Sequence, residues 1–154
     1  MIYANREILL LNKKLDRESR REVYFPTLIK GSSVYDCRGS SKDGSYHSET
    51  VTYKIRIPVD AEIQENRSYV PCTRYDDLAD VSSVWTIHND DLVIFLTEDA
   101  EIEIDPEGLP LMEESVMELV KVFGFQQEII HVTEWADNTR RGSDAVRHWR
   151  IGGT

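Results

Sequence analysis

Residues 51–57 read Val-Thr-Tyr-Lys-Ile-Arg-Ile, and this alternation constrains the fold more than any other feature of the chain. Val51, Tyr53, Ile55 and Ile57 fall on one side of an extended backbone, with Thr52, Lys54 and Arg56 on the other. Successive side chains of a strand point to opposite faces, so the segment predicts a strand with one buried and one wet face. Pro58 ends it, because proline has no N–H for the next ladder bond. Residues 6–12, where polar residues bound the apolar run Ile8-Leu9-Leu10-Leu11, and the wholly apolar 92–96 (Leu-Val-Ile-Phe-Leu) predict further strands. Strands are also expected over 22–25, stopping at Pro26, and over 27–37, where Gly31 marks a bulge or bend. Others are expected over 84–87, 128–135 and 146–151. Residues 101–105 alternate again, but their acids predict a wet edge or loop.

One segment has helical rather than strand spacing. Met112, Val116, Leu119 and Phe123 recur on one helical face. Glu113 and Glu114 stand in the first turn, where the helix dipole favours acids, and Gly124 follows as a natural stop. A helix over about 111–123 is therefore expected. The polar, glycine-bearing stretch 38–48 predicts a flexible loop. Residues 61–80 read as an irregular excursion with one short helical turn near 75–79, and 137–144 as a polar turn. Several short strands with one helix lack the rhythm of a parallel α/β sheet. The expected fold is mainly β: one domain over 1–154, a small antiparallel barrel or sandwich with a single packed helix.

Charge narrows the function. The net charge is -10 and the pI about 4.8, so bulk attraction to a phosphate backbone is not expected. No apolar run approaches the roughly 20 residues of a membrane span. The first residues are too short for a signal peptide before charges begin at Arg6, which predicts folding in the cytosol. Cys37 and Cys72 then read as two reduced thiols.

Standard catalytic motifs are absent: no phosphate loop, dinucleotide fingerprint, paired-histidine zinc helix or nucleophile elbow occurs. The four histidines are widely separated. His88 with Asp90 and Asp91 has the residue types of a metal site, but Asn89-Asp90-Asp91 is already explained as a tight turn. Adjacent acids such as Asp90/Asp91 or Glu98/Asp99 do not face each other across a cleft, as glycoside hydrolysis requires. The expectation is no enzyme, no cofactor and no metal.

The charge layout points to assembly. Residues 75–120 contain no Lys or Arg, yet hold about half of the chain's 28 acidic residues. Basic residues sit towards the two ends, with Arg20, Arg21, Arg140 and Arg141 prominent. One reading is an acidic, solubilising face. The sharper one is head-to-tail assembly, in which a basic surface of one copy meets an acidic surface, including Asp90 and Asp91, of the next. Trp85 and Trp135 lie in apolar strands and read as core. Trp149, between His148 and Arg150, is a candidate partner contact.

The order of these motifs resembles a known group. Asn5-Arg6-Glu7-Ile8-Leu9-Leu10-Leu11-Asn12-Lys13-Lys14 leads to Val23-Tyr24-Phe25-Pro26-Thr27-Leu28-Ile29-Lys30-Gly31-Ser32-Ser33-Val34-Tyr35. Tyr53 to Pro58, Asn89 to Ile94 and His148 to Gly152 then follow in sequence. The pattern is similar to that of head–tail connector proteins, the head-closure or "stopper" type, of tailed phages and prophages of Gram-positive bacteria. The resemblance implies a structural virion protein whose copies form a ring between the portal or adaptor protein and the tail protein. It also implies assembly in the host cytoplasm, a place in the virion neck, and packaged DNA that passes without specific binding. No membrane partner is implied. In that family a loop between two long strands reaches into the channel, and the matching residues are Lys42, Asp43, Gly44, Ser45 and Tyr46. Acids from the middle of the chain would then line the channel and repel the duplex. Alternatives are a tail-completion or tail-terminator protein, and a β-barrel module that binds protein or glycan.

Overall fold

The computed structural model describes residues 2–43, 46–97, 101–143 and 146–154. In chain order the strands are β1 (Ile2–Leu15), β2 (Glu22–Asp43), β3 (Tyr46–Pro58), β4 (Glu62–Ile63) and β5 (Ser68–Tyr69). A short helix α1 (Cys72–Asp77) precedes β6 (Val84–Trp85) and β7 (Leu92–Leu96). Helix α2 (Glu113–Phe123) leads directly into β8 (Gly124–Asn138), and β9 (His148–Gly153) closes the chain. The sheet runs β1-β7-β8-β9-β3-β2, and β2 pairs back onto β1. Six antiparallel strands therefore close into a barrel, with one helix packed on its outside.

The sequence pattern explains which part of the wall the helix covers. Ile8 and Leu10 of β1, with Val93 and Phe95 of β7, point into the barrel beside Ile55, Ile57 and Ile151. The alternate residues Leu9, Leu11, Leu92, Ile94 and Leu96 point outward and meet Val116 and Val120 of α2. The Ile8–Leu11 part of β1 and all of β7 are thus buried on both faces, which is why these stretches are apolar runs. Across the barrel no helix of the described residues covers β3 and β9, and Lys54, Arg56 and Arg150 on their outer face are exposed.

Several sequence expectations are corrected. Pro26 does not end a strand, since β2 runs through it with Pro26 opposite Leu11. The N–H groups of Tyr24 and Leu28 bond to Leu111 and Gln64, away from β1. Pro26 lies on that same outer edge, so its missing N–H costs no β1–β2 bond. Gly31 does mark a bulge: its φ is +92°, and the β1–β2 register shifts between Arg6 and Ile8. The helix starts two residues later than expected because Leu111 exchanges both backbone hydrogen bonds with Tyr24. Gly124 does stop the helix, as its C-cap, though not in a left-handed conformation. Its φ of -74° and ψ of 132° make it the first extended residue of β8, and an added Cβ would lie 2.6 Å from the Val120 carbonyl oxygen.

The stretch 38–48 is not a loop where it is described. Its backbone continues as strand, in register from Arg38 opposite Val51 to Asp43 opposite Tyr46. Beyond Tyr35 and Tyr53 neither β1 nor β9 pairs with this hairpin, so among the described residues it is a two-stranded arm. At about 3.3 Å per residue its eight paired positions from Asp36 to Asp43 extend roughly 26 Å.

The excursion over 61–80 is more ordered than expected. Tyr69, Trp85, Trp149 and Trp135 fill one mouth of the barrel together with Ile87. Arg67 anchors the excursion to β2 by donating to the Pro26 carbonyl at 2.7 Å and the Thr27 hydroxyl at 3.0 Å.

Candidate interaction surfaces

At the closed mouth, Asn12 and Asp91 form a buried polar pair, 1% and 0% exposed. Strand β1 loses its β7 partner above Leu11, and the Asn12 amide fills that gap. Its Nδ2 donates to the Thr86 carbonyl at 2.6 Å and its Oδ1 accepts from the Thr86 N–H at 3.2 Å. The Asp91 carboxylate accepts from Asn12 Nδ2 at 2.9 Å, the Lys13 N–H at 2.8 Å and the His88 N–H at 2.7 Å. His88 Nδ1 lies 3.1 Å from Asp91 Oδ1, and Nε2 lies 2.8 Å from Asp76 Oδ1 on α1. Asp91 is therefore a structural anchor and not a partner contact, which corrects the sequence reading. Asp90 beside it is exposed, in a turn with φ +71°.

Burial alone would lower the His88 imidazole's pKa. The hydrogen bonds and charge of Asp91, then those of Asp76, outweigh it and hold the pKa above the usual value. The ring stands edge-on to Tyr75 at 5.4 Å, and burial pushes the Tyr75 hydroxyl upward as well. Lys14 completes the tie between β1 and α1, its Nζ donating to the carbonyls of Tyr75 at 3.2 Å and Asp76 at 3.0 Å. A groove of about 870 Å³ runs beside this network, between the β1–β2 turn, the end of α1 and Pro110. Of the charged residues that line it, Lys13 pairs with Glu22 and Lys14 with the α1 carbonyls. The arrangement ties two elements together.

The uncovered side of the barrel is cationic. Arg56 lies directly opposite Arg150, and Lys54 lies opposite Tyr35 and Gly152. With Ser33 and His148 these residues line a depression of about 390 Å³. Arg56 Nη2 is held 3.0 Å from His148 Nδ1 and 3.4 Å from the Val146 carbonyl. Among the described residues no carboxylate forms a salt bridge with Lys54, Arg56 or Arg150. Sequence reasoning passed over this cluster, although the wet face of the 51–57 alternation carries only Thr and cations. What it lacked was the β3–β9 pairing that places Arg150 beside Arg56.

The helix-covered side is acidic. Glu101, Glu103, Asp105 and Glu107 before α2, and Glu113, Glu114 and Glu118 on it, are all exposed. Lys121 is the one cation described between Glu101 and Phe123. Ile102 and Ile104 turn inward against the core under α2, so the 101–105 alternation is real although no strand forms there. In the ring of strands β1 lies three places from β9, and β7 three places from β3. The acidic helix side and the cationic wall are therefore on opposite sides of one barrel.

The remaining expected site residues divide as follows. Arg20 and Arg21 are exposed in the β1–β2 turn, and Arg140 and Arg141 are exposed in the β8–β9 connection. The pairing puts both segments at the closed end of the barrel, not on the cationic wall. Trp149 is turned inward, its ring centroid 4.8 Å from Trp85 and 5.2 Å from Tyr69. Its place opposite Ile57, an interior position, makes it core rather than contact. Lys42, Asp43 and Tyr46 lie at the tip of the arm on β2 and β3. Gly44 and Ser45, as well as Glu98 and Asp99, lie outside the described residues.

A family model described as Family of unknown function (DUF6751) matches residues 3–154. No curated protein and no solved structure matches the chain.

Proposed function

The chain belongs to DUF6751, a family of unknown function, and we propose that it is a non-enzymatic structural subunit that assembles head-to-tail into a ring, as a head–tail connector of the head-closure type. The observation that carries this reading is the opposition of a mainly acidic helix side and a mainly cationic strand wall across one barrel. Complementary patches at different places on a subunit make heterologous contacts, which close into rings or run on as filaments. Patches nearly opposite one another turn the chain only slightly per copy, which suits a ring of many subunits. The sequence resemblance supports the station between portal or adaptor and tail. The β2–β3 arm supports it too, since it leaves the barrel where a channel-reaching element is expected.

The test is hydrodynamic first. At low ionic strength the purified protein should sediment as a large species and appear as closed rings by electron microscopy. In about 1 M salt, where the screening length falls to roughly 3 Å, it should revert to smaller species. A strict monomer at low salt, alone and with the portal protein, ends the proposal. The station is checked separately by labelling the protein in intact particles, where signal confined to the neck is expected.

A further inference from the structure

We infer that the outer face of α2 in one copy docks on the cationic wall of β2, β3 and β9 in the next, so that the two surfaces are the halves of a single contact. This rests on the assembly reading and names its interface.

Three observations converge on it. Neither set of charges is paired off: Arg56 and Arg150 face each other across β3 and β9 with no carboxylate bridging them, and Glu114 and Glu118 form no salt bridge among the described residues, although Glu134 lies over Gly152 in the row of Lys54 and Lys121 stands on the same helix face. Like charges directly opposite in a sheet repel, so an arriving carboxylate relieves a strain that the isolated barrel carries. The apolar surface is distributed the same way. Among the described residues the exposed large hydrophobics are Leu15, Tyr35, Met117, Val122 and Val146; Tyr35 lies on the wall, Met117 and Val122 on α2, and Val146 at the wall's end in the β8–β9 connection, where its carbonyl meets Arg56.

The two layouts also match. On α2, Glu114 and Glu118 stand one turn apart with Lys121 one turn beyond them on the same face, and Met117 lies to one side and Val122 to the other, as a 3.6-residue period requires. On the wall, Arg56 and Arg150 form the central row. Tyr35 lies one row away along the strands, and Val146 lies beyond His148 on the opposite flank. Each face is thus a charged centre with an apolar residue on either side, and a contact of that form excludes water from the charge pairs it makes. The depression between Tyr35, Arg56 and Arg150 gives a helix side chain somewhere to enter.

Cross-linking tests the contact. In a Cys37→Ser, Cys72→Ser background, one preparation carries Tyr35→Cys and a second carries Met117→Cys; both positions are exposed, and circular dichroism checks that the fold is kept. Mixed at low salt and oxidised with copper phenanthroline, the two should give the mixed disulfide dimer in about tenfold excess over either like pair. Independently, Arg150→Glu should weaken self-association roughly tenfold or more, and mixing it with Glu118→Arg should restore association between the two variants. Mixed cross-links with this charge-swap rescue support the contact. If rings form but no mixed disulfide appears and Arg150→Glu associates normally, this interface is wrong while the assembly reading stands. If the parent protein never associates, both fall. If the wall instead captures an acidic helix of the portal or tail protein and not of a second copy, rings form only with that protein, and the self-contact is overturned.

Discussion

The two halves of the barrel wall differ in how many of their faces are covered. On β1 and β7 the inner face meets the barrel interior and the outer face meets α2, and the strands are apolar at every position from Ile8 to Leu11 and from Leu92 to Leu96. On β3 and β9 the inner face is apolar and the outer face carries Lys54, Arg56 and Arg150. The same antiparallel ladder accepts either pattern; what differs is whether a second layer lies outside it. The covered half holds the fold, and on the proposal above the bare half is kept for assembly. Substitutions that separate stability from association break or sharpen that division.

The largest effect is expected at the head of β7. Asp91→Ala removes the acceptor for two backbone N–H groups and the Asn12 amide, all at a fully buried site. Stranded buried donors cost about 1–3 kcal/mol each, and losing a buried carboxylate's network as a unit costs about 3–5 kcal/mol. Urea unfolding should show a loss of about that size. A loss under about 1 kcal/mol would mean the network does not hold the barrel mouth closed.

Next come truncations along the strands. Leu9→Ala and Leu10→Ala face opposite layers, yet each should cost about 2–5 kcal/mol, because both positions are fully buried. In the bare half the pattern should alternate. Ile55→Ala should cost a similar amount, whereas Lys54→Ala and Arg56→Ala should stay within about 0.5 kcal/mol of the parent and weaken association instead. If Leu9→Ala proved as mild as Lys54→Ala, α2 would not be docked over β1, and the contrast between the halves would be lost.

That contrast also sets what was legible in the chain. Period-2 alternation and apolar runs report how many faces a strand buries, so the 51–57 and 92–96 strands and the helix were readable from local pattern. The barrel's closure was not, because it depends on β2 pairing with both β1 and β3 along a strand of 22 residues. Proline looked like a stop because a local reading does not know which edge of the strand its nitrogen faces. Asp91 and Trp149 were misread for a related reason: one is an acid in a turn motif and the other a tryptophan among polar neighbours. Only the long-range contacts to Asn12 and to Trp85 show that both are interior. The cationic wall joins residues nearly a hundred positions apart, and no window along the sequence contains it.

The smallest effect is the most diagnostic of how the excursion is tied to the barrel, because it is read as a slope against pH. His88 bridges Asp91 below β7 and Asp76 on α1, with its side chain 14% exposed. Its pKa in the folded chain lies above the ordinary 6.5. The folded state therefore binds the imidazole proton more tightly than the unfolded chain does. This contribution to stability is fully present below about pH 6.5 and is lost as pH rises through the raised folded value. One proton can tilt the unfolding free energy by at most about 1.4 kcal/mol per pH unit, so the slope is gentle and must be read by difference. His88→Gln should flatten it in that window, and Asp76→Asn should shift it towards ordinary histidine behaviour while leaving the Asp91 anchor in place. Neither change touches the cationic wall, so self-association at a fixed pH should follow the parent. A His88→Gln protein that kept the full pH slope would show that the titrating group lies elsewhere and that α1 is held to the barrel by Lys14 and packing alone.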